Sequence, residues 1–269
     1  MFSLRNKVIV ITGAAGLLGQ QHTEVIARNG GIPILLDLHK EPVEMLARSI
    51  EQRHNVSAAG YAVDITQESE IEANCAALLQ RFGHIDGLVN NAANNPKVEG
   101  DGSKNFSRLE NFHLPVWEAD IAVGLTGAFL CAKHYGFAIA RQGGCIVNIS
   151  SDLGLIAPDQ RLYRKPGLPD DQQPVKPVTY SVVKSGLIGL TRYLATYWAE
   201  KGVRCNALCP GGIENNQDPA FLNEVCMRIP MGRLARAEEY QGALLFLLSD
   251  ASSYMNGAVI SIDGGRSAW

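Results

Sequence analysis

Short apolar runs rich in β-branched residues alternate with longer helical stretches along the whole chain. Continuous apolar runs of this length are typical of parallel strands that are buried on both faces of a sheet. Their alternation with helices predicts βαβ units. We therefore predict an α/β, doubly wound fold with a parallel sheet of about seven strands and helices on both faces. The strand candidates are KVIVIT, IPILLD, AAGYAVD, IDGLVNN, GCIVNIS, VRCNALC and AVISID.

Glycines mark the ends of three predicted helices. Gly30, Gly83 and Gly202 each stand between a helical stretch and the next strand, where a left-handed C-cap belongs. Neither an internal repeat nor a linker interrupts the 269 residues, so we expect one domain spanning residues 1–269. Two long polar segments, 94–113 and 158–177, follow strands at their carboxyl ends, where doubly wound folds bind ligands.

Charge and composition argue against several classes of partner. The 24 basic and 27 acidic residues give a net charge of −3 without a basic block, so no nucleic-acid partner is expected. The apolar run near the N-terminus is too short for a signal peptide, and no run of about 18 apolar residues predicts a membrane span. We interpret the six scattered cysteines as reduced core thiols of a cytoplasmic protein, with no metal site.

The stretch TGAAGLLG, residues 12–19, follows the first strand candidate and begins a helix. Gly13 permits a tight turn, Gly16 lets the backbone approach a pyrophosphate, and Gly19 lets the helix pack against the strand. The helix N-terminus adds free N–H groups and the positive end of the helix dipole. The stretch is therefore a candidate phosphate cradle, although three glycines alone also fit a purely structural turn.

Asp37 ends the second strand candidate, 24 residues after Gly13. A carboxylate at this position accepts hydrogen bonds from the ribose hydroxyls of NAD and repels the 2′-phosphate of NADP. We expect NAD as the cofactor, with NADP as the less favoured alternative that the nearby Lys40 keeps open. A helix cap is the other interpretation of Asp37 when it is taken alone.

Tyr180 and Lys184 are four residues apart in TYSVVK, on one face of a predicted helix. An ammonium group close to a phenol favours the phenolate, so we predict that Lys184 lowers the pKa of Tyr180 from its usual value of about 10. Such a pair can exchange a proton with an alcohol or a carbonyl group. Upstream, Ser150 and Ser151 end a strand and offer a hydroxyl to a substrate oxygen. A solvated helix face and a strand-end cap are the structural alternatives for these residues.

Six short motifs then follow one another along the chain. They are the TG-type glycine turn, NNAA, NISS, YSVVK, CPGG and the terminal IDGG. The ordered set resembles the short-chain dehydrogenase/reductase family, in its single-domain branch, along essentially the whole chain. The resemblance implies a NAD-binding Rossmann domain that transfers a hydride between a substrate carbon and the nicotinamide. The sequence is also similar, more distantly, to oxidoreductases of flagellin and surface-sugar modification.

The resemblance implies roles for individual residues. Tyr180 would be the catalytic acid/base, and Lys184 would lower its pKa and hold the nicotinamide ribose. Ser151, rather than Ser150, would orient the reacting oxygen. Asn90 would bound the cofactor cleft. The implied cofactor site consists of Gly13, Ala15, Gly16, Leu17, Leu18, Gly19, Asp37, Asp64, Ile65, Asn90, Ala92, Tyr180, Lys184, Pro210, Gly211 and Ile213.

Several places depart from the family pattern. Gly124 stands where members usually have an asparagine in the helix before the serine strand. Ser151 and Tyr180 are 29 positions apart, and the excess over the family's habit is an insertion at about 158–177 that we expect over the active site. The middle glycine of TGAAGLLG is one place early, which is a spacing typical of the extended epimerase branch.

The polar segments around the expected site predict a small, hydroxylated substrate, such as a sugar or an amino-sugar derivative, that is interconverted between a secondary alcohol and a ketone. Two alternatives stay open. One is a sugar-nucleotide epimerase or dehydratase, and the other, motivated by Gly124, is a non-catalytic NAD-binding protein. The apolar faces of the helices around 115–141 and 178–200 imply, by the resemblance, a homodimer or a homotetramer.

Overall fold

The fold is built on one sheet of seven parallel strands. In the computed structural model, which describes residues 1–94 and 105–269, the strands lie in the order β3-β2-β1-β4-β5-β6-β7. The predicted number, direction and position of the strands are confirmed. The strands are β1 (Val8–Thr12), β2 (Ile32–Asp37), β3 (Ala59–Ala62), β4 (Gly87–Asn90), β5 (Gly144–Ile149), β6 (Val203–Pro210) and β7 (Val259–Ile262).

Helices connect the strands and cover both faces of the sheet. Three of the helical segments, α4, α5 and α6, run on from one another through two π-helical turns and form one continuous helix from Leu114 to Ile139. The helices are α1 (Leu17–Arg28), α2 (Lys40–His54), α3 (Glu68–Phe82), α4 (Leu114–Ile121), α5 (Gly127–Cys131), α6 (Phe137–Ile139), α7 (Val178–Tyr197), α8 (Pro219–Cys226) and α9 (Gln241–Leu248).

The continuous helix from Leu114 to Ile139 is long and apolar enough, by length and composition alone, to cross a membrane. It packs instead on the sheet, where Cys131 and Tyr135 are fully buried in the core. The core that it helps to form explains the apolar residues on that face, whereas Phe129 and Phe137 of the same helix are exposed.

The core consists of two main layers, one on each side of the sheet. Strand side chains alternate between the two faces, so Val8 and Val10 of β1 enter one layer and Ile9 and Ile11 enter the other. The long apolar runs in the sequence are needed for this reason, because the central strands β1, β4, β5 and β6 are buried on both faces.

The predicted glycine caps are confirmed by the backbone. Gly30, Gly83 and Gly202 all adopt left-handed conformations, with φ between 71° and 82°. Glycine reaches this region without the clash that a Cβ atom brings. Each glycine turns the chain from a helix towards the strand that follows.

The strand order reverses between β1 and β4. The chain runs outward from β1 to the edge strand β3, then returns to place β4 on the other side of β1. In doubly wound sheets, a crevice opens at such a reversal, at the carboxyl ends of the strands. The fold therefore places a ligand cleft at the ends of β1 and β4.

A buried histidine lies in the helix behind this cleft. His22 of α1 is fully buried, and neither ring nitrogen has a hydrogen-bond partner among the described residues. Burial lowers the pKa of His22 to about 4, and the nearby Asn91 side chain opposes only part of this change. The folded protein therefore holds His22 neutral.

This burial makes stability depend on pH. Between pH 6.5 and about 4 the unfolded chain binds a proton at His22 while the folded chain does not, so stability falls as the pH is lowered through this window. We expect the wild type to lose about 3 kcal/mol more than His22→Leu across it. Chemical denaturation of both proteins at several pH values measures the difference, and parallel stability curves would contradict the expectation.

Candidate active site

The glycine turn is shaped by contacts that leave no room for side chains. A Cβ atom on Gly19 would lie 2.2 Å from the carbonyl oxygen of Gly13, and one on Gly13 would lie 2.8 Å from Cα of Ala92. Gly13 also has a φ of 63°, in the left-handed region. The turn therefore brings α1 against β1. No side chain of these glycines covers the backbone of the turn on the side of the cleft, as a phosphate cradle requires.

A cleft of about 1060 Å³ opens along the carboxyl ends of the strands. It extends from the glycine turn past Asp37 to Tyr180 and Lys184. Its size and its bare glycine wall fit a dinucleotide. Most of the residues that the sequence assigned to the cofactor line it: Gly13, Ala15, Gly16, Leu17, Leu18, Asp37, Asp64, Ile65, Ala92, Tyr180, Lys184, Pro210, Gly211 and Ile213.

Asp37 is held at the end of β2 by two backbone N–H groups. Its Oδ2 atom accepts a hydrogen bond from Ala15 N at 3.0 Å, and its Oδ1 atom accepts one from Leu38 N at 2.9 Å. The first bond ties the acid directly to the glycine turn. Each carboxylate oxygen keeps a free lone pair for a ribose hydroxyl.

Three predicted site residues lie away from the cleft surface. Gly19 is packed under the turn, in the role that the sequence gave it. Ser151 is buried behind the surface, next to Tyr180. Asn90 does not bound the cleft: it is 3% exposed, and its Nδ2 atom donates to Asn148 Oδ1 at 2.8 Å within the core.

The neighbouring asparagine takes the position that was expected for Asn90. Nδ2 of Asn91 donates to the carbonyl oxygens of Thr12 and Gly13, both at 3.0 Å, and Asn91 lines the cleft. Successive side chains near the end of a strand point to opposite sides, so a one-residue difference decides which asparagine reaches the turn. The motif NNAA contains both residues and does not distinguish them.

Tyr180 and Lys184 lie on one face of α7, at the end of the cleft. The Lys184 side chain is buried, and its Nζ atom donates to the carbonyl oxygen of Ile149 at 2.9 Å. That Nζ atom is 5.9 Å from the centroid of the Tyr180 ring. Burial lowers the pKa of Lys184 to about 8, with the charge of Lys176 adding to the decrease and Cys209 opposing it.

The pKa of Tyr180 is raised, whereas the sequence predicted that it would be lowered. Burial is the main cause, the nearby Ser151 hydroxyl opposes it, and the charge of Asp152 adds to it. Lys184 does not reverse this direction, because its ammonium is itself desolvated and is bonded to Ile149. Without a bound cofactor, the tyrosine therefore retains its proton at neutral pH.

The two serines at the end of β5 are bonded differently. Ser150 Oγ donates to the backbone carbonyl of Lys184 at 2.7 Å, which commits it to helix α7. Ser151 Oγ donates to Asp152 Oδ1 at 2.8 Å. Ser150 lines the cleft and Ser151 lies behind its surface next to Tyr180, so the choice of Ser151 as the hydroxyl that orients the substrate stays a prediction.

Asp152 is held in turn by a residue near the C-terminus. Arg266 Nη1 donates to Asp152 Oδ2 at 2.9 Å, and the two side chains are only 11% and 3% exposed. This buried ion pair fixes the carboxylate that orients Ser151. Nothing in the local sequence signals it, because the two residues are 114 positions apart.

Gly124 lies in a π-helical turn of the long helix, Ala122–Thr126. A Cβ atom on Gly124 would lie 2.5 Å from Cγ1 of Val183, so a larger residue requires Val183 to move. Beside them is a cavity of about 20 Å³, roughly the space of one water molecule. Its wall includes the buried Asp120, which accepts hydrogen bonds from Asn94 and Thr179. This chain therefore has a buried carboxylate close to the position where the family pattern expects an asparagine.

The insertion at 158–177 reaches the cleft beside Tyr180. Its Leu162 side chain is buried against α8 and the chain that follows it. Asp159 accepts a hydrogen bond from Arg228 Nε at 2.7 Å, and this bond fastens the start of the insertion. At its other end, Lys176 lies over the ring of Tyr180. The segment 94–113 is described only at 94 and from residue 105 onwards, so its predicted functional role lies largely outside the described residues.

Comparison with known proteins gives the family. A family model described as short chain dehydrogenase matches residues 7–163, and one described as enoyl-(acyl carrier protein) reductase matches residues 172–267. The chain belongs to the short-chain dehydrogenase/reductase family, and it is an oxidoreductase that acts between alcohols and ketones.

Two curated relatives match over nearly their full length, whereas another, an uncharacterized short-chain type dehydrogenase/reductase of Sinorhizobium fredii that is 30% identical, is covered over only 43% of its length. A 3-oxoacyl-(acyl-carrier-protein) reductase of Thermotoga maritima is 33% identical over 267 residues, covering 97% of this chain and 98% of the relative. A D-threitol dehydrogenase of Mycolicibacterium smegmatis is 30% identical over 270 residues, covering 98% of this chain and 94% of the relative.

A solved structure with bound ligands is also similar. It is a gluconate 5-dehydrogenase of Burkholderia cenocepacia in complex with NADP and tartrate, with a TM-score of 0.84 and 28% identity, covering 100% of this chain and 98% of the other.

Proposed function

We propose that this protein is a NAD-dependent oxidoreductase that interconverts a secondary alcohol and a ketone on a small, polyhydroxylated substrate. The observation that carries the proposal is that Asp37, Tyr180 and Lys184 line one continuous cleft, with the glycine turn at its other end. A dinucleotide bound in this cleft would meet Asp37 at its adenosine ribose and Tyr180 and Lys184 at its nicotinamide end.

Each of the site residues has a separate role in the proposed reaction. When bound, NAD supplies the hydride acceptor, or the donor in the reverse direction. Tyr180 takes the proton from the substrate hydroxyl during oxidation and returns it during reduction. Ser151 turns from Asp152 to the reacting oxygen. Lys184 Nζ, which uses one donor on Ile149, keeps two for the nicotinamide ribose and for charge stabilisation at Tyr180.

The proposed substrate class follows from the polarity of the site. The cleft is lined in part by the polar side chains of Asn94, Asn215 and Gln217, which can bond hydroxyl groups. The similarity to a D-threitol dehydrogenase and a gluconate 5-dehydrogenase supports a polyol or sugar derivative.

Asp37 carries the preference for NAD. We expect Asp37→Ser to lower kcat/KM with NAD about 10- to 100-fold, because hydrogen bonds from a ribose hydroxyl to a charged acceptor are lost. We also expect kcat/KM with NADP to rise, because the repulsion of the 2′-phosphate disappears. Steady-state rates with both cofactors measure the ratio.

A matched control removes the same charge elsewhere. Asp250 is exposed and pairs with Lys7 at 3.1 Å, near the opposite end of β1 from the cleft. Asp250→Ser is expected to leave the cofactor ratio unchanged. A wild-type enzyme that prefers NADP, or an Asp37→Ser variant with an unaltered ratio, would overturn the role given to Asp37.

We propose that the protein forms a homodimer or a homotetramer through the long helix and α7. These helices expose large aromatic side chains: Phe129 is 50% exposed, Phe137 60%, Tyr193 61% and Tyr197 62%. An apolar surface of this kind is typical of an interface. Size-exclusion chromatography with light scattering should give a multiple of the 29.1 kDa chain, and a monomer at micromolar concentration would contradict the proposal.

A further inference from the structure

Lys176 lies near the end of the insertion 158–177. The next residue, Pro177, is the N-cap of α7. Its Nζ atom lies 3.9 Å from the centroid of the Tyr180 ring, within the range of a cation–π contact. Lys176 also lines the cleft together with Tyr180 and Lys184. The insertion thus brings a second ammonium group to the residue proposed to transfer the proton.

The backbone around Lys176 is fixed by side chains of other segments. Lys176 N donates to Gln160 Oε1 at 2.8 Å, and the preceding Val175 N donates to Ser107 Oγ at 2.9 Å. Gln173 further closes the insertion through two bonds to the carbonyls of Lys165 and Leu168. The lysine is therefore presented from an ordered segment, and its position over Tyr180 is supported by the fold.

No carboxylate of residues 1–94 and 105–269 lies within 4.0 Å of the Lys176 ammonium. Asp120, which lines the small cavity with it, is bonded to Asn94 and Thr179. Asp152, the other nearby acid, is paired with Arg266. Burial lowers the pKa of Lys176, and Asp152 opposes this from a distance. A cation that is partly removed from water and has no counterion among the described residues costs free energy, and an anion entering the cleft would offset that cost.

We propose that Lys176 is an anion-binding residue that selects hydroxy acids whose carboxylate lies close to the hydroxyl that reacts. The Lys176 ammonium lies above the face of the Tyr180 ring. A carboxylate bound to this ammonium therefore lies near the substrate carbon whose hydroxyl contacts the phenol. This inference rests on the proposed function and narrows its substrate class from polyhydroxylated compounds in general to those that carry a carboxylate.

Binding to the enzyme–NADH complex tests the inference without turnover, because NADH already carries a hydride and cannot accept another from the carbon that bears the hydroxyl group. Tartrate and threitol share one four-carbon diol, with carboxylates in the first and hydroxymethyl groups in the second. Isothermal titration calorimetry should show tartrate binding at least about 10-fold more tightly than threitol, as a charge-assisted bond implies. Lys176→Met should remove that preference and leave threitol binding within about 2-fold.

Two further variants distinguish anion binding by Lys176 from a general effect of charge in the insertion. Lys176→Arg keeps the charge and should keep the preference for tartrate. Lys165→Met removes an exposed positive charge from the same insertion and should change neither affinity. Equal binding of tartrate and threitol by the wild type would overturn the inference, as would an equal loss of both affinities in Lys176→Met.

The proposed function is tested by other measurements, namely NADH binding and alcohol oxidation by the wild type. If NADH does not bind, or if no alcohol is oxidised by the wild type, the redox assignment is wrong. A preference for tartrate that depends on Lys176 would show the anion subsite even in a protein without measurable turnover.

Discussion

Replacing Tyr180 by phenylalanine is expected to lower kcat/KM for alcohol oxidation and for ketone reduction by about 10²- to 10⁴-fold. This is the usual contribution of a positioned general acid or base. The ring of phenylalanine fills the same space, so the cation–π contact with Lys176 and the packing of α7 remain. NADH affinity, measured by fluorescence titration, should stay within a few-fold of the wild type.

Tyr197→Phe is the matched control, because Tyr197 is an exposed tyrosine on the same helix, at the end far from the cleft. It should retain wild-type kcat/KM. If Tyr180→Phe kept wild-type activity while it bound NADH normally, another group would have to move the proton. The alternative of a non-catalytic NAD-binding protein predicts that neither variant changes any measured turnover, because there is none to change.

Arg266→Met is expected to reduce the free energy of unfolding by about 3–5 kcal/mol. Removing one partner of a buried ion pair leaves the other charge buried and uncompensated. Here the remaining charge is that of Asp152, whose side chain is 3% exposed. Chemical denaturation, monitored by circular dichroism, measures the loss.

The surroundings of Arg266 provide a control and a rescue. Arg236 pairs with Glu238 at 2.9 Å on the surface, and Arg236→Met should cost less than about 1 kcal/mol. Adding Asp152→Asn to Arg266→Met removes the uncompensated charge and should restore part of the stability. A loss in Arg266→Met no larger than in Arg236→Met would show that the buried pair contributes little.

The architecture could be predicted from the sequence because its signals are local. Each strand is an apolar run a few residues long, and three helix ends are followed by a glycine, Gly30, Gly83 or Gly202, whose left-handed φ is a local property of that residue. The glycine turn, Asp37 and the spacing of Tyr180 and Lys184 are also local patterns. They meet in one cleft because parallel strands bring their carboxyl ends to one edge of the sheet.

Other features of the site depend on contacts between distant segments. Arg266 reaches Asp152 across the fold, and hydrogen bonds to Ser107 and Gln160 hold the backbone from which Lys176 lies over Tyr180. The direction of the Tyr180 pKa likewise follows from burial, which a four-residue spacing does not report. Asn90 was assigned wrongly to the cleft because a dipeptide of two asparagines does not show which side chain turns into the core.

The central claim is that one cleft joins a NAD site to the proton-transfer pair Tyr180–Lys184. The most direct measurement is the absorbance of reduced cofactor when the purified protein is mixed with NAD or NADP and a panel of polyols, sugars and hydroxy acids. We predict that reduced cofactor forms with at least one hydroxylated substrate, faster with NAD than with NADP, and that Tyr180→Phe abolishes this signal. Binding of NADH without any reduction of NAD across the panel, or turnover that is indifferent to Tyr180→Phe, would contradict the claim.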